Sequence, residues 1–178
     1  MTTFAIHLIS GSTGAGKTTY ARELCERLGA ARFSIDEWMT ALFWPDSPQP
    51  IDPAWAMERV ERCYVQIWAV ARDVAARGVP CVLDLGFTQQ ASRARFADLA
   101  RDAGLAVQLH FIDVPAEQRW QRVELRNSAP ASAQQLEFAV TREMFDYVES
   151  LWEPPSEAEM IALSGVLHKP DRSSALPA

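Results

Sequence analysis

Eight residues near the start of the chain carry its clearest chemistry: Gly11, Ser12, Thr13, Gly14, Ala15, Gly16, Lys17 and Thr18. They satisfy G-x-x-x-x-G-K-[ST] at every fixed position. Glycines in this pattern let the backbone curl until its N–H groups converge on one anion. A helix that starts beside the lysine adds the positive end of its dipole. Lys17 then faces the β- and γ-phosphates of a nucleoside triphosphate, and Thr18 offers its hydroxyl to Mg2+. Thr19 completes the phosphate-binding stretch. Two acids are candidates for the same site. Asp84 closes an apolar run, where a buried charge usually needs a partner; Mg2+ beside the phosphate loop would supply one, and a structural acid capping the following loop is the alternative. Asp36 follows the brief apolar stretch 32–35, and parallel α/β sheets bind ligands at the carboxyl ends of their strands. Asp36 equally suits the N-cap of the helix that follows, and the adjacent Glu37 reads as surface or helix-dipole charge. Arg119, Arg122 and Arg126 lie together on one helix. Three neighbouring cations repel unless an anion sits among them, or unless Glu117 and Glu124 pair with them on a solvated face.

These residues need a frame that brings them together. The apolar run 4–9 reads as a buried strand and 18–28 as a helix stopped by Gly29. A strand over 32–35 and a helix over 36–43 follow. The segment 44–53 holds four prolines and reads as a loop. Asp52 caps a long helix that reaches about Arg77, with Pro53 at its first position. Strands are expected over 79–85 and 106–112, and helices over 89–103 and 115–126. Ser132 and Gln135 form a capping-box pattern for a helix ending near Leu151. The residues 160–163 suit a short last strand, and the chain from 165 to 178 reads as a flexible tail. Strands alternating with crossover helices predict a parallel sheet covered on both faces.

The chain has 178 residues, 48% of them hydrophobic and 22% charged, which suits one folded domain. No apolar run reaches the roughly 18–20 residues of a membrane span. Three separated cysteines without C-x-x-C spacing argue against a disulfide framework or a cysteine zinc site, and for a reduced, cytoplasmic setting. A net charge of −6 gives no footprint for nucleic acid. The only lysines are Lys17 and Lys169, so no N/T-K-x-D guanine reader exists. His7, His110 and His168 show no metal-ligand spacing. Tyr64, Trp68 and Trp120 suit a core. Trp38, Phe43, Trp44 and Trp55 bracket the proline-rich loop, either as a cover for a partly apolar small molecule or as a small core of their own.

Six stretches make the pattern recognisable. They are 11–18, Ser34-Ile35-Asp36-Glu37-Trp38, Val82-Leu83-Asp84-Leu85-Gly86-Phe87, and Phe111-Ile112-Asp113-Val114-Pro115 running on to Arg122 and Arg126-Asn127, then Arg142-Glu143-Met144-Phe145 and Glu153-Pro154-Pro155. Together they resemble the small bacterial P-loop kinases of the AAA-domain type, relatives of zeta toxins, chloramphenicol phosphotransferase and polynucleotide kinase domains. The resemblance spans about residues 4–163. It implies an α/β, three-layer P-loop NTPase fold: a parallel sheet of about five strands, helices on both faces and a helical lid at about 115–131. The kinase domain would cover 1–164. The resemblance further implies ATP and Mg2+ as cofactors and transfer of the γ-phosphate to a hydroxyl of a small molecule. Residues 11–19 with Arg122 and Arg126 would bind ATP, and Thr18 and Asp84 the metal. Asp36 would contact the acceptor hydroxyl, with Lys17, Arg122 and Arg126 neutralising charge. Alternatives are a 5′-hydroxyl polynucleotide kinase, a zeta-toxin-like enzyme acting on an amino-sugar nucleotide, and a nucleotide switch without an acceptor. The expected assembly is a monomer or homodimer, away from membranes and nucleic acid.

Overall fold

The computed structural model describes residues 4–128 and 139–169. The N-terminal apolar run forms β1 (Ile6–Ser10), buried along its whole length. After the glycine-rich turn comes α1 (Lys17–Leu28), which ends at Gly29. β2 (Ala31–Ser34) runs directly into α2 (Ile35–Leu42), and a 3-10 turn occupies Trp44–Asp46. Asp52 caps α3 (Pro53–Ala75), its carboxylate accepting from the Ala54 N–H at 2.9 Å. Then follow β3 (Cys81–Asp84), α4 (Gln90–Asp102), β4 (Val107–Ile112) and α5 (Ala116–Ser128). α6 (Arg142–Ser150), α7 (Glu157–Ala162) and β5 (Val166–His168) complete the described chain.

All five strands are parallel, in the order β2-β3-β1-β4-β5. Strand side chains alternate between two faces, so each strand feeds two cores. Ile9, Val82 and Ile112 meet Ala21 and Leu24 of α1 on one face. Ile6, Leu8, Leu83 and Leu109 meet α3 and α4 on the other, through Ile67, Ala71, Phe96 and Ala100. Leu8, Leu83 and Leu109 are fully buried, each worth about 2–3 kcal/mol of transfer free energy. This is the expected α/β sandwich of helices around a parallel sheet. The chain crosses from β1 to β2 toward one edge and from β3 to β4 toward the other, and such a reversal opens a crevice at the carboxyl edge of the sheet.

Several local expectations change. Ser34, not Asp36, caps α2, its hydroxyl accepting from the Glu37 N–H at 3.4 Å. Asp36 thus sits in the first turn with its carboxylate free of capping. The stretch 160–163 belongs to α7 and not to a strand. Ser156 caps it, and Glu159 three residues on completes the local helix signal. Ile161 is 75% exposed, which an inner strand would not allow. The last strand forms instead at 166–168, inside the segment read as tail, paired to β4. α6 starts at Arg142 with Thr141 as its cap; the expected cap Ser132 and Gln135 lie outside the described residues. Arg93, fully buried, holds α4 to α7 through two hydrogen bonds to Glu159, at 2.6 and 2.9 Å.

Candidate active site

The loop between β1 and α1 lies at that carboxyl edge. Gly14 and Gly16 take positive φ, 79° and 93°, a region side chains disfavour. Gly14 has a second constraint: a Cβ there would lie 2.5 Å from the carbonyl oxygen of Arg119. Gly16 occupies the N-cap of α1 and provides no side-chain cap, which leaves first-turn N–H groups of α1 open to an anion. The loop is held as a turn by the Ser12 carbonyl. That oxygen accepts from the Ala15 N–H at 3.2 Å and from Lys17 Nζ at 3.1 Å.

Four charged groups converge on Lys17. Burial pushes its ammonium below the ordinary lysine range; Asp84 and Asp36 oppose that, while Arg119 and Arg126 add to it. Asp36 keeps solvent access at its surface, yet crowding by protein raises its pKa first and the Asp84 carboxylate raises it further. Lys17 and Arg126 pull it the other way. Asp84 is buried at the end of β3, register-paired with Ser34. Its expected need for a cation is met within the chain, because Arg32 Nη1 lies 3.4 Å from Asp84 Oδ2. Arg32 also pairs with Glu37, so Glu37 serves in an ion pair as well as in the first turn of α2. Arg32 was not legible as a site residue: a lone arginine on a short edge strand carries no sequence signal.

The three arginines of α5 divide by role. Arg122 Nη1 donates to the Ala15 carbonyl at 3.2 Å and lies over Gly16. Arg126 Nη2 is buried and has no hydrogen-bond partner among the described residues. A buried donor left unpaired costs on the order of 1–3 kcal/mol, which a bound anion would remove. Arg119 is not a free cation. It is 4% exposed and donates to the carbonyls of Val114 (2.8 Å) and Thr13 (3.2 Å) and to Glu149 Oε1 (2.7 Å). Its acid is therefore Glu149 of α6, and not Glu117 or Glu124. Thr18 stands in the first turn of α1, half-buried, with Thr19 exposed beside it.

Part of the aromatic group is core. Trp38 and Phe43 pack against the main hydrophobic cluster, with Trp68. Trp55 lies under the Arg59 guanidinium, 4.1 Å from the ring centre. All three histidines meet in a cluster that their spacing did not reveal. His7 and His110 share a hydrogen bond of 3.0 Å, and the Tyr20 hydroxyl bridges His110 and His168 at 2.8 Å each.

A family model described as AAA domain matches residues 6–151. The chain belongs to the AAA domain family. This AAA-domain protein shares its fold with solved structures of low sequence identity. Chaetomium thermophilum Kti12 in complex with ADP-AlF3 superposes with a TM-score of 0.70 at 16% identity, over 96% of this chain and 92% of that one. A putative kinase from Chloroflexus aurantiacus gives 0.69 at 18%, over 98% and 88%. APS kinase CysC of Mycobacterium tuberculosis, in complex with AMPPNP and APS, gives 0.62 at 19%, over 95% and 90%. No curated protein matches the chain. No helix among the described residues of this AAA-domain protein is long and apolar enough to cross a membrane.

Proposed function

We propose that the protein is an ATP- and Mg2+-dependent phosphotransferase that moves the γ-phosphate to a hydroxyl of a small molecule. The observation that carries this is the buried Arg126 Nη2, without a hydrogen-bond partner among the described residues and within electrostatic reach of both the loop lysine Lys17 and the acid Asp36. Phosphoryl transfer needs cations around the transferring group and a base at the incoming hydroxyl. Lys17, Arg122, Arg126 and the loop amides provide the first. Asp36 provides the second: it accepts the hydroxyl proton as the oxygen bonds to phosphorus and the bond to the leaving diphosphate breaks. Its raised pKa suits a base, since proton affinity rises with it.

Thr18 and Asp84 would hold Mg2+ through a hydroxyl and a carboxylate, the Asp84 carboxylate being shared with Arg32 at 3.4 Å. Among the described residues no group of three or more His, Cys, Asp or Glu could hold a metal ion. That suits Mg2+, which takes one or two protein oxygens and fills its shell with phosphate oxygens and water. When bound it neutralises charge on the phosphates. The acceptor is a small molecule in this reading because residues 38–52 contain no Lys or Arg, and a polyanion needs such contacts. The kinase neighbours support transfer. A second reading is a nucleotide-binding ATPase or switch without an acceptor; the neighbour Kti12 was solved with ADP-AlF3 and no acceptor is named there.

Asp36→Asn separates these readings. It should lower transfer by about 100-fold or more while ATP affinity changes less than about threefold, because the proton is accepted only in the transition state. An unchanged rate of ADP release in a coupled assay with acceptor present would remove Asp36 from the chemistry.

A further inference from the structure

The phosphate loop is braced from outside, by a helix that the nucleotide reading leaves without a role. Glu149, in the last turn of α6, uses both carboxylate oxygens. Oε2 accepts from the Ser12 hydroxyl at 2.8 Å, and Oε1 accepts from Arg119 Nη2 at 2.7 Å. Arg119 in turn donates to the Thr13 carbonyl. One carboxylate therefore fixes two consecutive loop residues, one directly and one through a buried guanidinium. Ser12 is itself buried, and its carbonyl is the oxygen that holds Lys17 Nζ. Both donors hold the Glu149 carboxyl below its ordinary range, the Arg119 hydrogen bond foremost, so at neutral pH the brace is charged and closed.

We infer that Glu149 and Arg119 are positioning residues for the phosphate loop: α6 presets the turn at Ser12-Thr13, and through Ser12 it sets where the Lys17 ammonium stands before a triphosphate arrives. A preset loop binds phosphate without first losing the conformational freedom that a slack one must surrender. This rests on the nucleotide reading above. A purely structural role is the rival, since Arg119 is buried and losing its partner would destabilise any fold. The Arg93–Glu159 pair offers a control: a more deeply buried ion pair, made by two hydrogen bonds, that joins α4 to α7 and bonds to none of residues 11–18.

The test is calorimetric binding of a non-hydrolysable ATP analogue with Mg2+, well below the unfolding midpoint, alongside thermal unfolding of each variant. Glu149→Ala should weaken binding about tenfold. Glu149→Gln, which can still bond both Arg119 and Ser12, should recover to within about threefold of the parent. Ser12→Ala combined with Glu149→Ala should bind no worse than Glu149→Ala alone, because the two lie on one path. Glu159→Ala should lower the unfolding midpoint as much or more and leave affinity unchanged. If Glu149→Ala binds the analogue as the parent does, or if Glu159→Ala loses affinity in step with its lost stability, the positioning role is wrong. If the parent itself binds no analogue, it is the nucleotide reading that fails.

Discussion

Lys17 and Asp36 show what single residues disclosed. Lys17 was legible because the loop motif is long and its chemistry is fixed by type and spacing. Asp36 was legible only as an acid after a strand; that Ser34 and not Asp36 takes the capping role needed the structure. Arg32 and Glu149, the partner of Arg119, were not legible at all, because contacts separated by up to 137 residues leave no local pattern. The electrostatics give a prediction at this scale. Desolvation and the neighbouring Asp84 carboxylate both raise the Asp36 pKa. Nuclear magnetic resonance of side-chain carboxyls should find Asp36 titrating above the ordinary aspartate value of about 3.9. Asp84→Asn removes a like charge, so the titration should move to lower pH. A titration that stays in place in this variant would mean the two acids do not share one field.

At the scale of elements, α5 behaves as two halves. Its first turns are locked to the loop: the Arg119 backbone abuts Gly14, and its side chain reaches Thr13 and Glu149. Its later turns carry Arg122, which donates to the Ala15 carbonyl, and Arg126, whose Nη2 has no hydrogen-bond partner among the described residues. The sequence suggested one helical lid with Arg122 and Arg126 at the phosphates and Arg119 nearby on the same helix, because helical spacing cannot tell a buried guanidinium from an exposed one. Hydrogen exchange should therefore split. Amides of 119–120 should be protected with or without nucleotide, while those of 122–128 should slow when an ATP analogue and Mg2+ are added. Uniform slowing along α5 would contradict the division. Apart from the start of α6, the other expected elements were readable to within about two residues, as with α3, where Asp52 and Pro53 mark the start. The last helix and strand were misread because a short apolar stretch, Met160 to Leu163, fits either period, and its cap Ser156 decides the matter.

At the scale of the whole molecule, alternation of strands and helices foretold the parallel sheet but not its order, since nothing in the pattern says that β1 lies between β3 and β4. Nor did it foretell that β1, β4 and β5 are tied to α1 by the His7–His110–Tyr20–His168 cluster. Burial lowers the pKa of each of these histidines, that of His110 to about 3, with its histidine neighbours and Arg27 adding repulsion, while Glu23 acts on the bridging Tyr20. The unfolded chain takes up protons near pH 6.5 while the folded one resists. Stability is thus complete above that pH and is lost as pH falls toward about 3. The urea midpoint should drop between pH 7 and pH 5, and His110→Gln should flatten that drop; an equal slope in the variant would exclude the cluster as its cause. The central claim concerns what leaves the molecule phosphorylated. The most direct measurement offers γ-labelled ATP and Mg2+ to the protein with pools of sugars, nucleosides and hydroxylated antibiotics, and in parallel with 5′-hydroxyl RNA and DNA oligonucleotides. Label should appear in a small-molecule pool and be lost with Asp36→Asn. Label on oligonucleotide 5′ ends, or only in inorganic phosphate, would contradict the account.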